Sequence, residues 1–86
     1  MLKLYTVHLN GNYESMGMVV IAAKDRRQVE KMAEEFCRND VHQELVDVVQ
    51  RPPQYTPGLW PTEYHCHRHV KMNGEPRILD SKWQVV

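Results

Sequence analysis

The stretch Met16–Arg38, MGMVVIAAKDRRQVEKMAEEFCR, decides the fold because its periodicity changes half-way. Its first eight residues, Met16–Ala23, are apolar at alternate and at intervening positions. Such a segment reads as a strand placed centrally in a sheet and covered on at least one side. Asp25 then supplies an N-cap carboxylate, and Gln28 stands three residues later, as in a capping box. Val29, Met32, Ala33 and Phe36 follow the i, i+3, i+4, i+7 spacing of one helical face. Arg26, Arg27, Glu30, Lys31, Glu34 and Glu35 fall on the other side. Asn39 and Asp40 end the pattern. The spacing therefore predicts an amphipathic helix over 25–38 with a single apolar stripe, suited to lie across one face of a sheet.

Upstream, residues 2–9, LKLYTVHL, place Tyr5, Val7 and Leu9 on one side and Leu2, Leu4, Thr6 and His8 on the other. Tyr, Thr and Val favour a pleated surface, so this is a first strand. Asn10–Ser15 carries an Asn-Gly turn signal, which predicts an antiparallel hairpin with Met16–Ala23. Downstream, residues 44–51, ELVDVVQR, read as a third strand ended by Pro52 and Pro53, which cannot donate to a ladder. Four of the five prolines lie in 52–61, a stiff loop carrying Tyr55 and Trp60. Residues 63–72 read as a fourth strand. Asn73-Gly74 signals a hairpin into a fifth strand over 76–85.

The expected architecture is a single α+β domain over 1–86, in the order β-β-α-β-β-β. It has a mostly antiparallel four- or five-stranded sheet with one helix on one face. One helix cannot cover so wide a sheet. The second face is thus either solvated or used for association.

Composition narrows the function classes. The chain has 86 residues, 11 basic and 11 acidic. That length holds one modest core. The balance argues against a strongly basic nucleic-acid clamp, and the C-terminal half, with five bases and five acids, is equally neutral. A small single-stranded nucleic-acid-binding domain is carried only by the interleaving of Arg51, Arg68, Lys71, Arg77 and Lys82 with Trp60, Tyr64 and Trp83. The longest apolar run, Met18–Ala23, is far short of the ~18 residues that cross a membrane. No signal-peptide pattern is visible at the N-terminus, so the expected compartment is the cytoplasm. Cys37 and Cys66 read as reduced thiols rather than as a disulfide framework. No Gly-rich phosphate loop, nucleophile elbow or zinc-deaminase spacing occurs, and no enzyme is expected.

The chemistry-bearing feature is the strand Glu63–Met72. Its alternation predicts His65, His67, His69 and Lys71 on one side, away from the helix. Tyr64, Cys66, Val70 and Met72, with Arg68, take the other. Neutral imidazole is a common ligand for zinc and its neighbours. His65 and His67, two residues apart, are the candidate zinc ligands. A third imidazole on a straight strand lies too far along it, so a further ligand would come from a neighbouring strand, with His8 or Glu63 in reach. The same residues also read as an ordinary polar face.

The leading expectation is a small cytoplasmic binding protein without catalytic activity, of the kind that serves bacteria or phages as an inhibitor or adaptor of a larger complex. Its contact residues are Tyr55, Trp60, His65, His67, His69 and Lys71. Its occupant is another protein, and a homodimer through the uncovered sheet face is one form of this. A metal-binding protein using the His65, His67 and His69 strand face is one alternative, and the small single-stranded nucleic-acid-binding domain is the other.

Overall fold

The computed structural model describes residues 1–11, 15–41 and 58–84. The expected strand over 44–51 and the loop residue Tyr55 lie outside the described residues. The element order is β1 (Leu2–Gly11), β2 (Met16–Ala23), α1 (Arg26–Glu35), a π-helical turn (Phe36–Val41), β3 (Leu59–Met72) and β4 (Arg77–Gln84). The four strands form one antiparallel sheet in the order β3-β1-β2-β4. This is the α+β sandwich that the sequence predicts, with one helix packed on the sheet.

The β1–β2 hairpin is the centre of the sheet, with Lys3 opposite Ala23 and Asn10 opposite Met16. Tyr5, Val7, Leu9, Val19, Ile21 and Ala23 share one face and are buried. Helix α1 closes over them through Val29 and Ala33, and the π-helical turn adds Phe36 and Cys37. Leu59 completes the cluster, with Met32, Tyr64 and Trp83 packed against its margin. Trp83 stands opposite Gly17, where a Cβ would come within 2.8 Å of the indole-bearing Cβ. A residue without a side chain is what lets β4 lie flat there.

The helix starts as read. The Asp25 carboxylate accepts from the Gln28 amide at 2.8 Å, and the Gln28 side chain accepts from the Lys24 amide at 2.6 Å. Two otherwise unpaired backbone donors are thereby satisfied. The C-terminal end differs from the expected single helix. The α-helical part stops at Glu35, and the wider π turn carries the stripe onward, keeping Phe36 and Cys37 on the core.

Asn73-Gly74 does not close a hairpin. Gly74 takes φ +99°, the left-handed conformation expected of a turn glycine. Yet β3 ends opposite Leu2, and β4 begins opposite Ala22 on the far side of the central hairpin. The link 73–76 thus crosses the end of β1–β2. Arg77 ties it down, donating to the carbonyls of Asn73 (3.1 Å) and Glu75 (2.9 Å). Direct β3–β4 pairing would leave one edge of the central hairpin unpaired, and the observed order satisfies both.

Three irregularities mark the outer strands. Thr62 is inserted between the partners of His8 and Leu9. Arg68–Val70 lie between the partners of Lys3 and Leu4. Leu79 lies between the partners of Val20 and Ile21. Such bulges twist a strand and blunt its edge against pairing with another sheet. Among the described residues, no helix is long and apolar enough to cross a membrane.

Candidate functional site

The face of the sheet opposite α1 is a four-by-four array set by the pairing register. Across β3, β1, β2 and β4 its rows read Trp60–Asn10–Met16–Gln84, then Glu63–His8–Met18–Lys82, then His65–Thr6–Val20–Asp80, then His67–Leu4–Ala22–Arg77. The column from β2 is wholly apolar. Ala22 is buried, Met18 and Val20 are half-buried, and Met16 is 57 % exposed. The β3 and β4 columns hold the charged side chains with His65 and His67, all exposed, and the β1 column adds the half-buried His8. Of the two central columns only that of β2 is apolar, and the β1 column beside it carries Asn10, His8 and Thr6. An apolar strip bounded by polar side chains is an arrangement found in contact surfaces.

Trp60 belongs to β3 rather than to a loop. It stands opposite Asn10 on the open face and is 55 % exposed. Between the ends of β2 and β4 a groove of about 420 Å³ opens beside His8, bordered by Asn10, Met16, Met18, Lys82 and Gln84.

The four expected residues of the histidine strand separate. His65 and His67 stand opposite Thr6 and Leu4 on the open face, as read. The odd insertion Arg68–Val70 then reverses the alternation. Lys71 consequently pairs with Lys3, on the side of Tyr5 and Val7, and His69 falls inside the bulge. Alternation alone could not show this, because an insertion is invisible until the partner strand is known. The expected core side of β3 is only partly covered too. Tyr64 is half-buried whereas Cys66 is exposed, and Val70 lies exposed within the bulge. The half-buried Met72 stands opposite Leu2 on the open side, so the reversal displaces it as well.

His67 is engaged by a neighbour, with its Nε2 2.6 Å from the Thr6 hydroxyl. His65 meets two other groups. Its Nε2 lies 3.3 Å from a Glu63 carboxylate oxygen, and its ring stands edge-on to that of His8, with centroids 5.3 Å apart at 89°. One donor atom from each of His8, Glu63 and His65 lies within 4.8 Å of the others. This trio, drawn from β1 and β3, could hold a metal ion. The sequence supplied its members, but only the register of β1 against β3 selects His8 over His67.

On the helix side, Arg26 binds Glu30 at 2.8 Å and lies 4.3 Å above the Tyr64 ring. Burial raises the Tyr64 pKa, and Glu30 and Glu34 add to this, while Arg26 opposes it. Burial pushes the Cys37 thiol up to about 11, which favours its protonated form at neutral pH. Both Cys37 and Cys66 are free thiols.

Comparison with family models, with curated proteins and with solved structures finds no match.

Proposed function

We propose that this chain is a non-catalytic protein-binding module, and that a second copy of itself covers its open sheet face. The observation that carries the reading is the apolar column Met16, Met18, Val20 and Ala22, which stands on the side away from the helix. Met16 is exposed and Met18 and Val20 are half-buried, while Ala22 is already covered within the chain. Exposed apolar surface rimmed by polar residues marks association sites. Trp60 and Met16, in one row, are suitable anchors.

The register supports self-recognition. A twofold axis along the strands lays β3 of one copy over β4 of the other, with rows aligned. Glu63 then faces the row of Lys82 in the second copy, and His65 faces the row of Asp80. An isologous pairing uses each such contact twice. The bulged outer strands disfavour the alternative of edge-to-edge pairing. Glu63 and Asp80 balance Lys82 and Arg77 on this face, so it offers no net attraction to a phosphate backbone.

Sedimentation or light scattering against concentration tests this. The wild-type chain is expected to reach twice the protomer mass of 10.2 kDa as concentration rises. Val20→Asp is expected to stay monomeric with an unchanged helical spectrum. Lys82→Glu should weaken association, and adding Glu63→Lys should restore it. A wild-type chain that stays monomeric to millimolar concentration refutes the reading.

A further inference from the structure

We propose that His8, Glu63 and His65 form a binding site for a divalent transition-metal ion of the zinc class. The site goes beyond the association proposed above and needs no second chain, because all three ligands come from adjacent strands of one sheet.

The geometry fits before any ion is placed. Zinc bonds to imidazole nitrogen and carboxylate oxygen are ~2.0–2.2 Å, which makes the edge of a tetrahedron roughly 3.4 Å. The His65 Nε2 to Glu63 oxygen separation is 3.3 Å, close to such an edge. His8 Nδ1 or Nε2 lies within 4.8 Å of both partners, so a closure of at most roughly 1.4 Å on each brings the triangle to the tetrahedral edge. The backbone sets this arrangement. His8 stands opposite Glu63, His65 is two residues along the same strand, and all three share the open face. The edge-on packing of the two imidazoles lets both nitrogens approach one point without ring overlap.

The donor set selects the ion. Two imidazole nitrogens and one carboxylate oxygen suit zinc and its first-row neighbours, whereas magnesium and calcium prefer all-oxygen shells. His67 shares the face but is held by the Thr6 hydroxyl, which assigns it to the surroundings of the site rather than to its ligands. Glu63 and His65 are well exposed, with side-chain accessibilities of 66 % and 59 %. In the single chain, three protein ligands at such a surface leave the fourth position to water.

The test is calorimetric titration of the untagged full-length chain with zinc chloride, with calcium and magnesium chloride as parallel arms. Repeating it on monomeric Val20→Asp separates metal binding from self-association. The expected result is one zinc per chain and no heat from calcium or magnesium. Loss of a supporting partner alone typically costs 10–100-fold in metal affinity, so His8→Gln, Glu63→Gln and His65→Ala should each weaken binding by at least ~10-fold. His67→Ala and His69→Ala should leave it unchanged. Circular dichroism verifies that each variant is folded, and zinc-induced shifts of the His8 and His65 ring signals by NMR provide a second readout. The proposal is overturned by absence of zinc binding at millimolar metal, by equal binding of calcium, or by a loss in His67→Ala matching that in His8→Gln.

Discussion

Ile21 and Val20 are adjacent in β2 and point to opposite faces, so truncating each to Ala weighs the two faces against one another. Ile21 has no exposed surface and packs in the cluster closed by Val29 and Ala33. Ile→Ala at such a site costs about 2–5 kcal/mol, the transfer term plus the cavity left behind. An 86-residue chain has a total stability of roughly 4–13 kcal/mol. At about 4–8 °C per kcal/mol for a domain of this size, Ile21→Ala should lower the midpoint by at least roughly 8 °C. Val20 is half-buried on the open face, between Thr6 and Asp80. Val→Ala there removes two carbons, each worth about 0.8 kcal/mol when fully buried, so the cost in the monomer is about 1 kcal/mol or less. Urea unfolding followed by circular dichroism at low and at high protein concentration measures both. The Ile21→Ala loss should be the same at either concentration. The Val20→Ala loss should grow with concentration, because a dimer buries that side chain further. A Val20→Ala loss at low concentration equal to that of Ile21→Ala would refute the assignment of core and open faces.

Asp25→Ala removes the carboxylate that accepts from the Gln28 amide. It should cost about 1 kcal/mol, and thus about 4–8 °C in the melting midpoint; an unchanged midpoint by calorimetry would show that the cap contributes nothing. Alkaline stability carries the signature of Cys37. In the unfolded chain its thiol ionises near ~8.5, whereas burial holds the native thiol up to about 11. The native state therefore binds more protons in this window. The associated stability is complete below it and is lost as pH rises towards about 11. Tyr5 and Tyr64, also raised by burial, act in the same direction. Urea midpoints across this range should fall more gently in Cys37→Ala than in the wild type, and equal slopes would contradict the buried thiol.

Much of the architecture was legible because it depends on near neighbours. Asp25 and Gln28 mark a helix start through backbone donors three residues away. Val29, Ala33 and Phe36 reach the core at the spacing that one helical face imposes. The alternation of Tyr5, Val7 and Leu9 assigns the buried side of β1. The Asn73-Gly74 pair shows the opposite case. Its glycine does adopt a positive φ, but whether such a turn closes a hairpin depends on which strand edges are vacant. The same holds for Trp60, whose proline-rich surroundings read as a loop although the chain there runs beside Asn10 in β3.

Among the described residues, local sequence thus determined the hairpin strands β1 and β2, the bulk of β3 and β4, the helix start with its cap, and the apolar doubling of Met16–Ala23. It also placed three histidines at alternate positions of one strand. The tertiary structure decided which of them meet. The insertion Arg68–Val70 turns Lys71 away from His65 and His67, and the pairing of β1 with β3 brings His8, some sixty residues earlier in the chain, beside Glu63 and His65. Strand periodicity is a property of one segment and can be read from it. Register and bulges belong to two segments at once, and they are set by the burial and hydrogen bonds that only the assembled sheet provides.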